Sequence, residues 1–315
     1  GNSIISCVNA CHNILRNNDS IVGEKAMHDI MRLLFLKFLE PLIDSGVVDI
    51  LDPKHYSTEK DEYYEEGMQC LARFSQFKEK TLDNSDNVTL DLWRSILQVY
   101  PLTSEIFKEQ GKFNCNQETL VLLLDKIEKT LGGSKFAELD HDVKGRIYEE
   151  FLNGYSNNAG KAFGQYFTTR DYIRLIFGQI HGKQIAWFEE KMSEGSLSVL
   201  DPCMGTAGFL TETYRVFPEA ILKGCEIEAE TYTYALMNMI LTTGTLIPKN
   251  FTRGDSLIEL DPREKFDFIP TNPPYGTKMD YKKLQAKYEQ RWSDELNPAE
   301  DNPAEDEEQI GRAHV

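Results

Sequence analysis

Hydrophobic positions change their period along this chain, and the change divides it. In the first half they recur at helical spacing. From Glu24 to Leu39 the apolar residues Met27, Ile30, Met31, Leu33, Leu34, Phe35, Leu36, Phe38 and Leu39 cover nearly every side of a helix. A helix apolar all round is a buried one, so this stretch predicts the central helix of a bundle, ended by Pro41. Further helices are expected over 59–77, 88–99, 103–110, 117–131 and 140–152, with Gly132 and Gly133 stopping the fourth of these. His12, His28, His55 and His141 stand singly here and read as surface or core residues. Residues 1–155 are therefore expected to form an all-α domain that docks or binds.

The second half alternates short apolar runs with helical patterns, which predicts a parallel α/β sheet with right-handed crossovers. Leu197 to Leu200 reads as a strand, followed by Asp201, Pro202, Cys203, Met204, Gly205, Thr206, Ala207 and Gly208, a small-residue turn that opens a helix. The turn is not a dinucleotide fingerprint or a P-loop. It carries an acid and no Lys or Arg, so it suits a cationic or zwitterionic ligand better than a phosphate. A second strand, Ile221 to Ile227, ends at Glu226, where α/β nucleotide folds place a ribose-binding carboxylate. A helix over 228–241 follows, with Ala235, Leu236, Met239 and Ile240 on its core side. A third strand runs into Arg253, Gly254, Asp255, Ser256 and Leu257.

A fourth strand is expected at Phe266, Phe268 and Ile269, buried on both faces. It stops at Asn272, Pro273, Pro274 and Tyr275. Two prolines forbid both ladder pairing and helix, so this corner must be a stiff extended turn at a strand's carboxyl end, where open α/β sheets bind ligands. The Asn272 side-chain oxygen and the Pro273 carbonyl would lie side by side, both acceptors. Two converging acceptors suit a planar exocyclic amine, whose lone pair they free from the ring. Tyr275 would stack on that ring. Upstream, the Gly- and Asn-rich junction 157–170 holds the aromatic pair Tyr166 and Phe167, and Thr169 can cap a helix through Tyr172 and Ile176.

Charge complicates a nucleic-acid partner. The net charge is −17, and Asp294, Glu295, Glu300, Asp301, Glu305, Asp306, Glu307 and Glu308 supply a local share of it. The remainder is still acidic, so most phosphate contacts are expected to come from elsewhere. The six cysteines form no CxxC pair and no metal spacing, which fits reduced thiols in a cytoplasmic-type compartment; no metal is expected. No apolar run is long enough to span a membrane.

The series Gly164-Gln-Tyr-Phe-Thr-Thr-Arg170, Asp201 to Leu210, Gly224-Cys-Glu226 with Met237 to Met239, Gly254 to Leu257 and Asn272 to Tyr275 resembles the adenine-N6 DNA methyltransferases. More closely, it resembles the modification subunits of type I restriction–modification systems and their stand-alone and viral relatives. The resemblance implies a Rossmann-like S-adenosylmethionine-dependent methyltransferase domain over 156–280. Asp201 and the turn of Gly205, Thr206 and Gly208 would hold the methionine part of S-adenosylmethionine. Glu226 would bind the ribose, and Asp255 with Ser256 and Leu257 the adenine. Phe167 and Thr168 would close over the cofactor. Asn272, Pro273, Pro274 and Tyr275 would hold an adenine flipped out of double-stranded DNA. The partner would be a specificity subunit or a C-terminal target-recognition domain, and the compartment bacterial or viral-factory cytoplasm.

Two positions depart from the family pattern: Thr169 stands for a usual Pro and Ala207 for a usual Gly. Both are expected to be tolerated provided the local φ is negative. Residues 281–309 have the composition of a polar acidic loop or disordered segment. Ile310 to Val315 matches one frame of a common sequencing-adapter read and is expected to be an assembly artefact. The catalytic domain is then expected to be cut after its fourth strand and inactive alone. The alternatives are methylation of another planar amine (N4 of cytosine, an RNA guanine, a protein glutamine) or a non-catalytic scaffold of the same fold.

Overall fold

A computed structural model describes residues 2–46, 74–82, 113–133, 168, 170–195, 197–244, 250–274 and 280–296. Every described element before the sheet is a helix. These are α1 (Asn2–Asp19), α2 (Gly23–Asp44), α3 (Phe74–Leu82), α4 (Gln117–Leu131) and α5 (Arg170–Ser193). Then come β1 (Ser198–Asp201), α6 (Gly208–Val216), β2 (Ile221–Glu226), α7 (Ala229–Thr243), β3 (Phe251–Arg253), the short α8 (Ser256–Glu259) and α9 (Tyr281–Leu296). The expected helices over 88–99, 103–110 and 140–152 lie outside the described residues, as do 297–315.

The apolar run of α2 does what its pattern dictates: 16 of its 22 residues are buried. Pro41 does not end it, because the helix continues to Asp44. A proline so near the C-terminus deletes only one late ladder bond, and the Ser45 N–H still reaches the Pro41 carbonyl at 3.0 Å. One side of α2 packs on α1, α3 and α4, and the other on α7 of the sheet half. Leu15, Phe35, Phe38, Leu123, Leu236 and Ile240 accordingly belong to one continuous apolar core.

Two buried polar residues of α2 fasten this core. The Asp29 carboxylate accepts from the Asn114 backbone N–H and side-chain Nδ2, both at 2.9 Å, and from the Cys115 N–H at 3.0 Å. It thereby fixes the approach to α4, whose first turn is capped by Asn116 accepting from the Thr119 N–H at 2.9 Å. Arg32 is buried beside the carboxylates of Asp29 and, on α7, Glu230, and burial lowers its pKa to about 10.

Strands β1, β2 and β3 are parallel in that order. Beyond β1 on the other side, Val199 bridges Phe268 in parallel, with the Leu200 N–H donating to the Phe268 carbonyl at 3.0 Å. The spatial order is thus the 268 segment, β1, β2, β3. The chain steps outward through α6 and α7 and then returns past β1, which puts the topological switch point between β1 and the 268 segment. The expected fourth strand is this single bridge rather than a regular strand buried on both faces. Phe268 turns inward, with its ring edge-on to Phe177 and Phe188 of α5 at 5.6 Å each, whereas Ile269 is 51% exposed. The face that carries Phe268 is covered by α5, and the face that carries Ile269 is open.

Part of the stretch expected as acidic loop is helical. Residues 281–296 form α9, since Lys, Glu, Gln and Leu are strong helix formers. The Asp280 carboxylate accepts from the Lys283 N–H at 3.2 Å, and Trp292 Nε1 donates to the Ile258 carbonyl at 3.2 Å, docking α9 on α8.

Candidate active site

The turn after β1 is held by its own backbone and by the end of β2. Asp201 ends β1, and its Oδ1 accepts from the Cys203 N–H at 3.1 Å. The Met204 N–H donates to the Cys225 carbonyl at 2.9 Å, and the Gly205 N–H to Glu226 Oε2 at 3.0 Å. Gly205 has φ +55°, the left-handed conformation that glycine adopts without cost. Ala207 has φ +65° as well, so the condition for tolerating it at no cost is not met and its Cβ carries strain. Gly224 on β2 sits directly behind the turn. A Cβ there would collide with Met204 Sδ and approach Leu210 Cδ1 at 2.9 Å. Asn238, wholly buried on α7, donates Nδ2 to the Thr206 carbonyl at 2.9 Å and holds the turn from below. Gly208 then opens α6.

Acids line the strand ends. Asp201 is 1% exposed, and its Oδ2 has no hydrogen bond of full geometry; neither has Thr271 Oγ1 beside it. Burial pushes the Asp201 carboxyl up to about 7, against the easing effect of the Thr271 hydroxyl and the Cys203 N–H, and the Glu226 charge adds to the rise. Glu226 is also raised by burial, opposed by backbone N–H groups; its Oε1 accepts from the Glu228 N–H at 2.8 Å. Asp255 caps α8, accepting from the Leu257 N–H at 3.1 Å. Leu257 is 43% exposed, and Ser256 lies near the Cys203 thiol, which burial pushes up.

At the corner, Asn272 is part-buried and Pro273 and Pro274 are exposed. Asn272 Nδ2 donates to Thr168 Oγ1 at 2.9 Å, across 104 residues of sequence. Phe167, Thr169 and Tyr275 lie outside the described residues. The structure therefore gathers Asp201, Gly205, Thr206, Gly208, Glu226 and Asp255 with Ser256 along one sheet edge, and Asn272 with Thr168 near the switch point. Thr271, Cys203 and Asn238 were missed as contributors. Thr271 gave no signal, being one hydroxyl ahead of a louder motif. Cys203 was read only as part of the turn, and Asn238 only as a residue of the resemblance.

Parallel strands with a glycine turn after the first and acids at their ends define an α/β fold of the methyltransferase kind. A sequence model described as N-6 DNA Methylase matches residues 139–306, more than half of the chain, and the chain belongs to that family. It is similar to the type I restriction enzyme HindI methylase subunit of Haemophilus influenzae, 29% identical over 149 residues, which are 44% of this chain and 30% of that one. It is also similar to the type I restriction enzyme MpnII methylase subunit of Mycoplasma pneumoniae, 26% identical over 199 residues, 55% of this chain and 35% of that one. The chain thus spans about a third of the length of these curated relatives.

Solved structures share the fold. A modification subunit of a putative type I restriction enzyme from Vibrio vulnificus superposes with a TM-score of 0.64 at 19% identity, covering 91% of this chain and 63% of that one. The type I restriction-modification methyltransferase subunit from Streptococcus thermophilus gives 0.59 at 20% identity, covering 94% and 66%.

Proposed function

We propose that this chain is the catalytic part of a DNA methyltransferase that moves a methyl group from S-adenosylmethionine to the N6 amine of adenine. The observation that carries the reading is the Asn272 corner, set at the switch point beside a buried acid. With Nδ2 committed to Thr168, the Asn272 side-chain oxygen is the atom left to accept from an exocyclic amine. The Pro273 carbonyl supplies a second acceptor. Hydrogen bonds to both N–H groups draw the nitrogen towards a tetrahedral shape and make its lone pair available.

The residues present fit the cofactor. Asp201 is a desolvated carboxylate with only the Thr271 hydroxyl and the Cys203 N–H to ease it, and an ammonium group would supply the opposite charge that burial leaves wanting. The left-handed Gly205 turn brings backbone close to whatever lies over it, and Glu226 and Asp255 end the next two strands. Asp201 would hold the methionine ammonium, Glu226 the ribose hydroxyls, and Asp255 with Leu257 the adenine. When bound, S-adenosylmethionine supplies an electrophilic sulfonium methyl, displaced in line. The protein's own contribution is orientation of the amine and polarisation of its lone pair. Tyr275 would stack on the extruded base.

A specificity subunit or target-recognition domain is proposed as the partner, because the chain is acidic and cannot by itself supply many phosphate contacts. No helix among the described residues is long and apolar enough to cross a membrane, and a cytoplasmic site of action is proposed. The test is expression of the gene, with any companion specificity subunit, in a host lacking adenine methylation, followed by mass spectrometry of its nucleosides. N6-methyladenine that disappears with Asn272→Ala supports the reading. N4-methylcytosine in its place would keep the mechanism and refute the target, and no modified base would refute the activity.

A further inference from the structure

We propose that Thr168 is a positioning residue: its hydroxyl anchors the Asn272 carboxamide and fixes the place from which the side-chain oxygen meets the target amine. This rests on the function proposed above. The two ends of a carboxamide are nearly the same size but opposite in hydrogen-bond sense. With the oxygen outward, Asn272 accepts from the amine. With the amide turned over, an N–H would meet an N–H, and the second acceptor at Pro273 would be opposed by a donor beside it. A hydroxyl can accept from the amide nitrogen or donate to the amide oxygen, so the amine, a donor, draws the oxygen outward, and what the fold must supply is an anchor that holds the carboxamide in place.

Thr168 is placed to be that anchor. Its Oγ1 receives Asn272 Nδ2 at 2.9 Å, and this is the side-chain hydrogen bond described for Asn272. The contact does not stand alone. Arg170 begins α5, and α5 also grips the base of the same corner, with Phe177 edge-on to Phe268 at 5.6 Å and Ile173 in the same apolar cluster. Phe268 lies four residues before Asn272 in the chain. One helix therefore holds the corner at two points, by packing at its base and by a hydrogen bond at its tip. The following Pro273 restricts the Asn272 backbone, which leaves amide rotation as the freedom to be removed. Sequence resemblance gave Thr168 a role over the cofactor; the geometry points to the catalytic asparagine.

Two variants of the full chain test this, assayed with its specificity partner. Thr168→Val keeps the shape and removes the hydroxyl; Thr168→Ser keeps the hydroxyl. Thr168→Val is expected to lower kcat by about 10- to 100-fold, the scale of a misplaced reacting group, with the dissociation constant for S-adenosylmethionine unchanged. Thr168→Ser should restore kcat to within about threefold of wild type. A weakened cofactor affinity with kcat held would make Thr168 a cofactor contact and overturn the proposal. So would an unchanged kcat.

A readout independent of turnover comes from NMR of the ¹⁵N-labelled chain. The Asn272 side-chain NH₂ signal, identified by its loss in Asn272→Asp, should move and exchange faster in Thr168→Val and be restored in Thr168→Ser. An unmoved signal overturns the proposal. A wild-type complex that methylates no amine refutes the proposed function, while this signal still decides the Thr168 contact by itself.

Discussion

Asp201→Asn should stabilise the ligand-free chain at neutral and alkaline pH, although it removes the acid proposed to hold the cofactor. The carboxyl ends β1 at 1% exposure, and burial raises its pKa from an ordinary 3.8 to about 7. Between those values the folded state keeps a proton that the unfolded state has released. Stability must therefore fall as pH rises through the window, by about 1.4 kcal/mol per pH unit. The contribution is whole below about pH 4 and lost by about pH 7, a total near 4 kcal/mol at the upper limit. Asparagine mimics the protonated acid. Its oxygen can still accept from the Cys203 N–H, and its nitrogen replaces Oδ2 and can donate to Thr271 Oγ1. Urea unfolding from pH 4.5 to 8 would measure this, plotted as variant minus wild type. Glu226, raised in the same direction, is present in both proteins and largely cancels. The difference should be small at pH 4.5 and grow towards a plateau above pH 7. A difference flat in pH, or a variant less stable than wild type at pH 8, would refute the picture of an acid whose charge is desolvated by burial. S-adenosylmethionine should then stabilise the wild type at pH 8 and leave the variant unmoved, the common opposition of stability and function at a binding site.

Two further expectations concern the scaffold. Ala207→Gly should raise stability by about 1 kcal/mol, seen as a higher urea midpoint at unchanged slope, because alanine is held there at φ +65°. Asp29→Ala should cost about 3 kcal/mol in the same assay, since it leaves the Asn114 and Cys115 N–H groups without their acceptor and removes a charge beside buried Arg32.

What was legible in the sequence was local. The turn of small residues after β1 and the acids closing β1, β2 and β3 follow from chemistry packed into a few consecutive positions, and they lie where the pattern put them. So does α2, whose all-round apolar sequence leaves it no stable place except a core. The misses come from elsewhere. The backbone of Ala207 is set by the need to turn from Asp201 into α6 within the span of Met204 to Gly208, and residue type alone argued against φ +65°. The partner of Asn272 lies 104 residues away, beyond the reach of any periodicity. Ile269 was placed in a buried strand because apolar residues were counted without asking whether a neighbour existed to cover the second face. Helix α9 was overlooked because charge was weighed and helix propensity was not.

The two halves of the chain are tied at the places the chemistry needs stiff. Helix α7 carries Asn238 under the Thr206 carbonyl on one side and Leu236 and Ile240 in the shared core with α2 on the other. Helix α5 carries Phe177 and Phe188 against Phe268, and Thr168 just ahead of it meets Asn272. The glycine turn and the Asn-Pro-Pro corner, one on each side of the switch point, are therefore each backed by a helix that is itself fastened elsewhere. Polarising an amine through two acceptors works only if neither can relax towards the other when the amine arrives. Among the described residues the sheet is three strands and a bridge, which gives little rigidity of its own. The helices supply it, which is a physical reason for the helical half to precede this site in the same chain.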